Sequence, residues 1–253
     1  MLPMPTSSSS AISTPIATVF IPAMLCDERL YSKVIDALSH QINPQVMTSA
    51  KPVMADSVAD ILARAPAQFA LVGTSYGGNL AMEVALAAPQ RVTALWLMGC
   101  DPAAPQAGGP DLAGGLEATP DAVIGMLAGL VVHKDATDSA AIFQEMARAV
   151  GGAAGAAQAR ALGGRAGISE RLSELTMPVL ALWGADDALV PSAVGRLLAD
   201  ALPNSQLYQL TGCGHLPSLE KPAESAVLFS QFLRSAHADD SGRQGTADGL
   251  KKG

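Results

Sequence analysis

Apolar residues fall into two alternating patterns along the chain. Continuous apolar runs at residues 18–21, 69–72, 94–98 and 179–183 are of strand length. Strands that are apolar on both sides belong to a sheet covered on both faces. Residues 45–47 and 206–210 read as two further strands. Between these runs lie segments with helical spacing. They are 30–38 (through Leu30, Val34, Ile35 and Leu38), 56–65 (through Val58, Ile61 and Leu62), 79–88, 192–201 and 223–234. Pro89 stops the third, and Pro222 sits near the first turn of the last. Strand–helix alternation predicts an α/β fold, a doubly wound, mostly parallel sheet of six or more strands.

Residues 102–176 break the rhythm. A Pro/Gly-rich loop opens them, helical patterns follow at 121–131 and 139–149, and an Ala/Gly tract occupies 151–167. They are predicted to form a helical cap inserted between two stretches of the core, 17–101 and 177–236. Residues 1–16 form a Pro/Ser/Thr leader without the basic and apolar regions of a signal peptide. Residues 237–253 are polar and rich in Gly and Asp. Both ends are expected to be disordered.

Composition narrows the classes. Of 253 residues, 49% are hydrophobic and 15% charged, which excludes a wholly disordered chain. No apolar run approaches the length of a membrane span. The net charge is −7, and the only basic cluster is Lys251-Lys252, so neither nucleic acid nor membrane is an expected partner. The oligomeric state is not legible. Cys26, Cys100 and Cys213 are odd in number and lack CxxC spacing. That argues against a disulfide scaffold and a structural zinc site, and fits a reducing, cytoplasmic compartment. No cofactor motif and no metal site is found.

The sharpest local feature is Gly73-Thr74-Ser75-Tyr76-Gly77. It follows the run at 69–72 and precedes a helical segment, the context in which a sharp turn lifts a serine out of the sheet edge. A serine hydroxyl needs a base. Of four histidines, His215 in Gly212-Cys213-Gly214-His215-Leu216 follows the strand at 206–210, where the ligand crevice of such sheets lies. A base needs an orienting carboxylate. Residues 184–191, after the strand at 179–183, offer Asp187, the candidate by register, and Asp186, which could instead form the turn. Asp101, in an Asp-Pro turn after residues 94–98, is a third option.

The order Ser75, Asp187, His215 gives the chain its resemblance to α/β-hydrolase-fold proteins, over about residues 17–235. The likeness rests on residues 73–77, 184–191 and 212–222, and on Ile21-Pro22-Ala23-Met24-Leu25 after the first strand. It implies a cofactor-independent serine hydrolase acting on a small-molecule acyl substrate. Ser75 would be the nucleophile, His215 the base and Asp187 its orienting acid. The amides of Met24 and Tyr76 would form the oxyanion hole. Pro22-Ala23 stands where the family usually has His-Gly, and Leu25 is the alternative donor. Cys26, close by, reads as a packing residue, and Glu220 as a helix-start carboxylate. Leu25, Met126, Leu130, Phe143 and Leu216 are candidate substrate-lining residues, with Leu127 and Met146 beside them. Carboxylesterase chemistry is the default, and thioester, lactone and C–C hydrolysis fall within the resemblance. A lyase or cofactor-free oxygenase on the same residues, or a catalytically dead ligand-binding protein, are the other classes. The presence of Ser75, Asp187 and His215 together counts against the last.

Overall fold

The apolar runs become the centre of one sheet. The computed structural model describes residues 14–106 and 108–249, with side chains as far as residue 236. Its strands are β1 (Ile16–Ile21), β2 (Ile42–Val46), β3 (Phe69–Thr74), β4 (Val92–Met98), β5 (Val179–Gly184) and β6 (Ser205–Leu210). They pair in the order β2-β1-β3-β4-β5-β6, and every pairing is parallel. Every residue of β3 and β5 is buried. The edge strands β2 and β6 mix buried or half-buried positions with exposed ones, which is why their apolar signal is weak. β2 begins at Ile42, three residues before the sequence-predicted start. Asn43 and Pro44 resemble a loop, but an edge strand tolerates a residue with no N–H to donate.

Helices cover both faces. On one, α1 (Ser32–Ala37) and α10 (Pro222–Gly249) pack over Phe20, Val72, Trp96 and Leu180. The Trp96 and Phe229 rings stack there with centroids 4.4 Å apart. On the other, α2 (Met54–Arg64), α3 (Tyr76–Ala87) and α8 (Ser192–Ala201) enclose Val19, Leu71, Leu95, Leu97 and Trp183. α10 continues to Gly249, where the sequence suggests a disordered tail from 237. Phe229, Phe232 and Leu233 anchor its buried part, and adding residues to a formed helix costs far less than starting one. At the other end, β1 already starts at Ile16. The rest of the expected leader, apart from residues 14 and 15, lies outside the described residues, as do residues 250–253.

Among the described residues, the segment between β4 and β5 holds four α-helices, α4 (Leu112–Ala118), α5 (Pro120–Ala128), α6 (Thr137–Val150) and α7 (Gly152–Gly163), and a short 3-10 helix at Ser169–Glu174. The Ala/Gly tract is thus partly a helix that periodicity misses. Its glycines lower helix propensity and its alanines raise it, and no apolar stripe of large residues marks a face. Leu116, Ile124, Phe143, Met146 and Ala156 from this segment share one apolar cluster with Phe20 and Trp96, so the insertion packs onto the core. Since all strands run parallel, the chain leaves β1, β3, β4, β5 and β6 at the same sheet edge, where the candidate residues lie. Among the described residues no helix is long and apolar enough to cross a membrane.

Candidate active site

Ser75 joins β3 to α3 with φ 55° and ψ −117°. A non-glycine residue in such a conformation costs about 1–3 kcal/mol and persists only where its surroundings enforce it. Here the Ser75 amide donates to the Met98 carbonyl at 2.8 Å. The Ser75 carbonyl accepts from the Asn79 amide at 3.0 Å and from Asn79 Nδ2 at 3.2 Å. Gly77 lets α3 approach the turn after β1, since a Cβ there would overlap the carbonyl oxygens of Ile21 and Pro22. Tyr76 is the first residue of α3, so its amide has no acceptor within the helix.

The candidate acid and base follow β5 and β6, which lie beyond β4 from the strand that leads to Ser75. Asp187 follows β5, and its side chain is fully buried. Its Oδ1 accepts from the amides of Leu189 and Val190, both at 2.9 Å, and its Oδ2 meets His215 Nδ1 at 2.8 Å. An ionised carboxylate only accepts, so Nδ1 carries the proton and Nε2 of the neutral ring is left as the acceptor. Asp186 is exposed, and its Oδ2 accepts from the Gly212 amide at 3.0 Å, tying the Asp loop to the His loop. Asp101 Oδ1 accepts from the Ala103 amide at 2.9 Å, as a turn residue does. Of the three candidate acids, Asp187 therefore meets the base. A Cβ built on Gly99 would lie 2.9 Å from both Cε1 and Nδ1 of His215. Gly99 follows Met98, the residue that holds the Ser75 amide. Ser75 and His215 thus converge at the end of β4. His40 is exposed, and His133 lies in the loop before α6. The side chain of His237 is outside the described residues.

The turn after β1 supplies the last component. Cys26 N donates to the Ala23 carbonyl at 3.0 Å, and Leu25 takes φ 63°. The Leu25 amide donates to Gln158 Oε1 at 3.0 Å, so it is already engaged and Leu25 is not the free donor that the sequence left open. Met24 N makes no hydrogen bond among the described residues. Tyr31 Oη sits 3.0 Å from the Ile21 carbonyl and 2.7 Å from Thr74 Oγ1, joining this turn to the strand that ends at Ser75. Cys26 and Cys100 are wholly buried, and burial pushes both thiols well above their ordinary range. They stay protonated and act as packing residues.

Glu220 has a role that sequence reasoning missed. It lies in the first turn of the short α9 (Pro217–Glu220), a helix-start position, and does more than that reading implies. Its Oε2 accepts from the amides of His133 at 2.7 Å and Gly214 at 2.9 Å, and its Oε1 from Leu216 at 3.0 Å. Two of these amides flank His215 and the third belongs to the insertion. The sequence clue is a carboxylate five residues after a Gly-flanked histidine. Glu220→Ala would leave these donors unsatisfied, at about 1–3 kcal/mol for a buried group. We expect lower stability in denaturant melts together with a loss of turnover of about tenfold or more, because a base displaced by an ångström is costly. Wild-type turnover in the folded variant would limit Glu220 to supporting the helix end.

The candidate substrate-lining residues divide. Leu25, Phe143 and Leu216 are buried in the core cluster, whereas Met126 and Leu130 are 49% and 38% exposed. Gln158 was not foreseen, because the helix that carries it was not foreseen. The available signal was a lone polar side chain in an otherwise Ala/Gly stretch, residues 151–159.

Comparison with known proteins gives the following. The profile described as "Alpha/beta hydrolase family" matches residues 25–227. The 2-hydroxy-6-oxononadienedioate/2-hydroxy-6-oxononatrienedioate hydrolase of Cupriavidus pinatubonensis is 32% identical over an alignment of 184 residues that covers 64% of this chain and 61% of that protein. The pimeloyl-[acyl-carrier protein] methyl ester esterase of Aromatoleum aromaticum is 40% identical over 63 residues, 25% of each chain. The matches to the curated relatives span less than two thirds of those proteins, from 11% to 61% of their length. Among solved structures, the enol-lactonase of Burkholderia xenovorans superposes with a TM-score of 0.77 at 17% identity, covering 87% of this chain and 92% of that one. At that identity the likeness concerns the fold alone.

Proposed function

Because this chain belongs to the alpha/beta hydrolase family, we propose that it is a serine hydrolase that cleaves a small carboxylic ester through an acyl-enzyme. His215 Nε2 takes the proton of Ser75 Oγ as the hydroxyl attacks the ester carbonyl. Asp187 holds the imidazole in the required tautomer and stabilises the imidazolium that forms. The amides of Met24 and Tyr76 donate hydrogen bonds to the carbonyl oxygen as negative charge develops on it. A donor of this kind contributes about 10²–10³ in rate. Collapse of the tetrahedral intermediate releases the alcohol, which takes its proton from His215. Water, deprotonated by the same nitrogen, then attacks the acyl carbonyl, and Ser75 leaves with the proton returned.

The observation that carries this reading is the buried 2.8 Å bond between Asp187 and His215, made at the sheet edge where Ser75 is held in its strained turn. The names of the relatives support hydrolysis of ester and lactone linkages as the first classes to try. The buried free thiols support a reducing, cytoplasmic setting. The test is a panel of acyl esters, acyl thioesters and lactones, with kcat/KM and products measured for each. Carboxylate and alcohol from at least one ester is the expected result. Consumption of a substrate by elimination, with no ester cleaved, would move the chain to the lyase class.

A further inference from the structure

We propose that Gln158, on α7 of the insertion, is a positioning residue that fixes the two halves of the oxyanion hole relative to each other. The proposal rests on the acyl-transfer reading above and assigns a new residue to it.

Gln158 is only 3% exposed. Its Oε1 accepts from the Leu25 amide at 3.0 Å, and its Nε2 donates to the Ser49 carbonyl at 3.2 Å. The same Ser49 carbonyl accepts from Tyr76 Oη at 3.4 Å, and Tyr76 Oη also contacts Ser57 Oγ at 3.2 Å. A carbonyl oxygen can accept two hydrogen bonds. One buried amide therefore bridges the residue next to Met24 and the carbonyl that anchors the Tyr76 side chain. Met24 and Tyr76 are the two proposed oxyanion donors.

Such a bridge is needed at Leu25 in particular. A leucine at φ 63° occupies the left-handed region that favours glycine, and nothing in its own side chain stabilises it there. Its amide is buried and must find an acceptor. Gln158 Oε1 supplies one only while the turn keeps this conformation, so the bond selects the bend that leaves Met24 N unpaired. The approach is close: a Cβ on Gly155, one turn before Gln158, would overlap Leu25 Cδ2. Hence α7 reaches the turn as backbone and delivers the amide side chain directly. The insertion then acts on the chemical step as well as covering the site.

The test compares Gln158→Met, Gln158→Asn and Gln158→Glu with wild type. Met keeps the volume and removes both hydrogen bonds. Asn keeps the amide but withdraws it by one methylene, and it serves if the Met variant does not fold. Glu keeps the acceptor for the Leu25 amide. For each, kcat and KM on a cleaved ester and the rate of Ser75 labelling by a fluorophosphonate are measured, with folding checked by thermal melting. The expected result is a fall in kcat of about tenfold to a hundredfold for Met and Asn, with KM within about twofold. Labelling should slow in parallel, and Glu, which keeps the Leu25 bond but sets an oxygen against the Ser49 carbonyl, should recover only part of the loss. A folded Met or Asn variant with unchanged kcat, or with the whole effect in KM, overturns the assignment while labelled wild type leaves the acyl-transfer reading standing. Wild type that neither turns over nor labels overturns both.

Discussion

Ser75→Ala is expected to lose ester turnover altogether, by roughly 10⁴–10⁶ on the scale of other serine nucleophiles, while still folding. Alanine at this position inherits the unfavourable backbone of φ 55° and keeps all three hydrogen bonds that the Ser75 amide and carbonyl make. The melting temperature should therefore hardly move. Ser75→Gly separates chemistry from strain. Glycine adopts this conformation freely, so that variant should be equally inactive yet more stable, by about 1 kcal/mol. Parallel measurement of turnover and denaturant midpoint checks both statements. A Ser75→Gly protein no more stable than Ser75→Ala would mean that the turn stores no strain.

Asp187→Asn is expected to cost about four orders of magnitude in kcat, the scale of the corresponding change in serine proteases. The Asn carbonyl can still accept from the amides of Leu189 and Val190, so the loop should keep its shape. Its NH2 group would then face His215 Nδ1 and demand an acceptor there, which moves the ring proton to Nε2 and removes the base. Asp186→Asn and Asp101→Asn retain acceptors for Gly212 and Ala103. Each should stay within a few-fold of wild type. Steady-state kinetics on all three variants decide the matter. A loss of the large size in Asp101→Asn, with Asp187→Asn active, would move the acid to the end of β4.

The sheet was legible because its central strands are buried on both sides and so read as unbroken apolar runs. β3 and β5 needed no other signal. The edges were harder: two of the five residues of β2 are exposed, and a third is Pro44. The order of Ser75, Asp187 and His215 could be read because each follows a strand, and parallel topology brings strand ends together. Choosing Asp187 over Asp186 rested on register; of the two side chains only that of Asp187 is buried, and it meets His215. What could not be read depends on long-range partners. Leu25 looked available as a donor until Gln158, 133 residues away, was seen to occupy it. Glu220 read as a helix-start residue, which it is, but its hold on Gly214 and His133 stayed hidden because those donors come from a loop and an insertion that periodicity does not join. α7 was hidden by glycines that act against helix propensity but allow close packing.

In the proposed reaction Ser75 is the residue that becomes covalently acylated. The most direct measurement is intact-mass and peptide mass spectrometry of the full chain after brief exposure to a fluorophosphonate, with Ser75→Ala alongside. A serine hydrolase with Ser75 as nucleophile gives one adduct per chain, carried on Ser75, and none on the alanine variant. An unlabelled wild-type chain, or an adduct that persists on another residue when Ser75 is alanine, would contradict it.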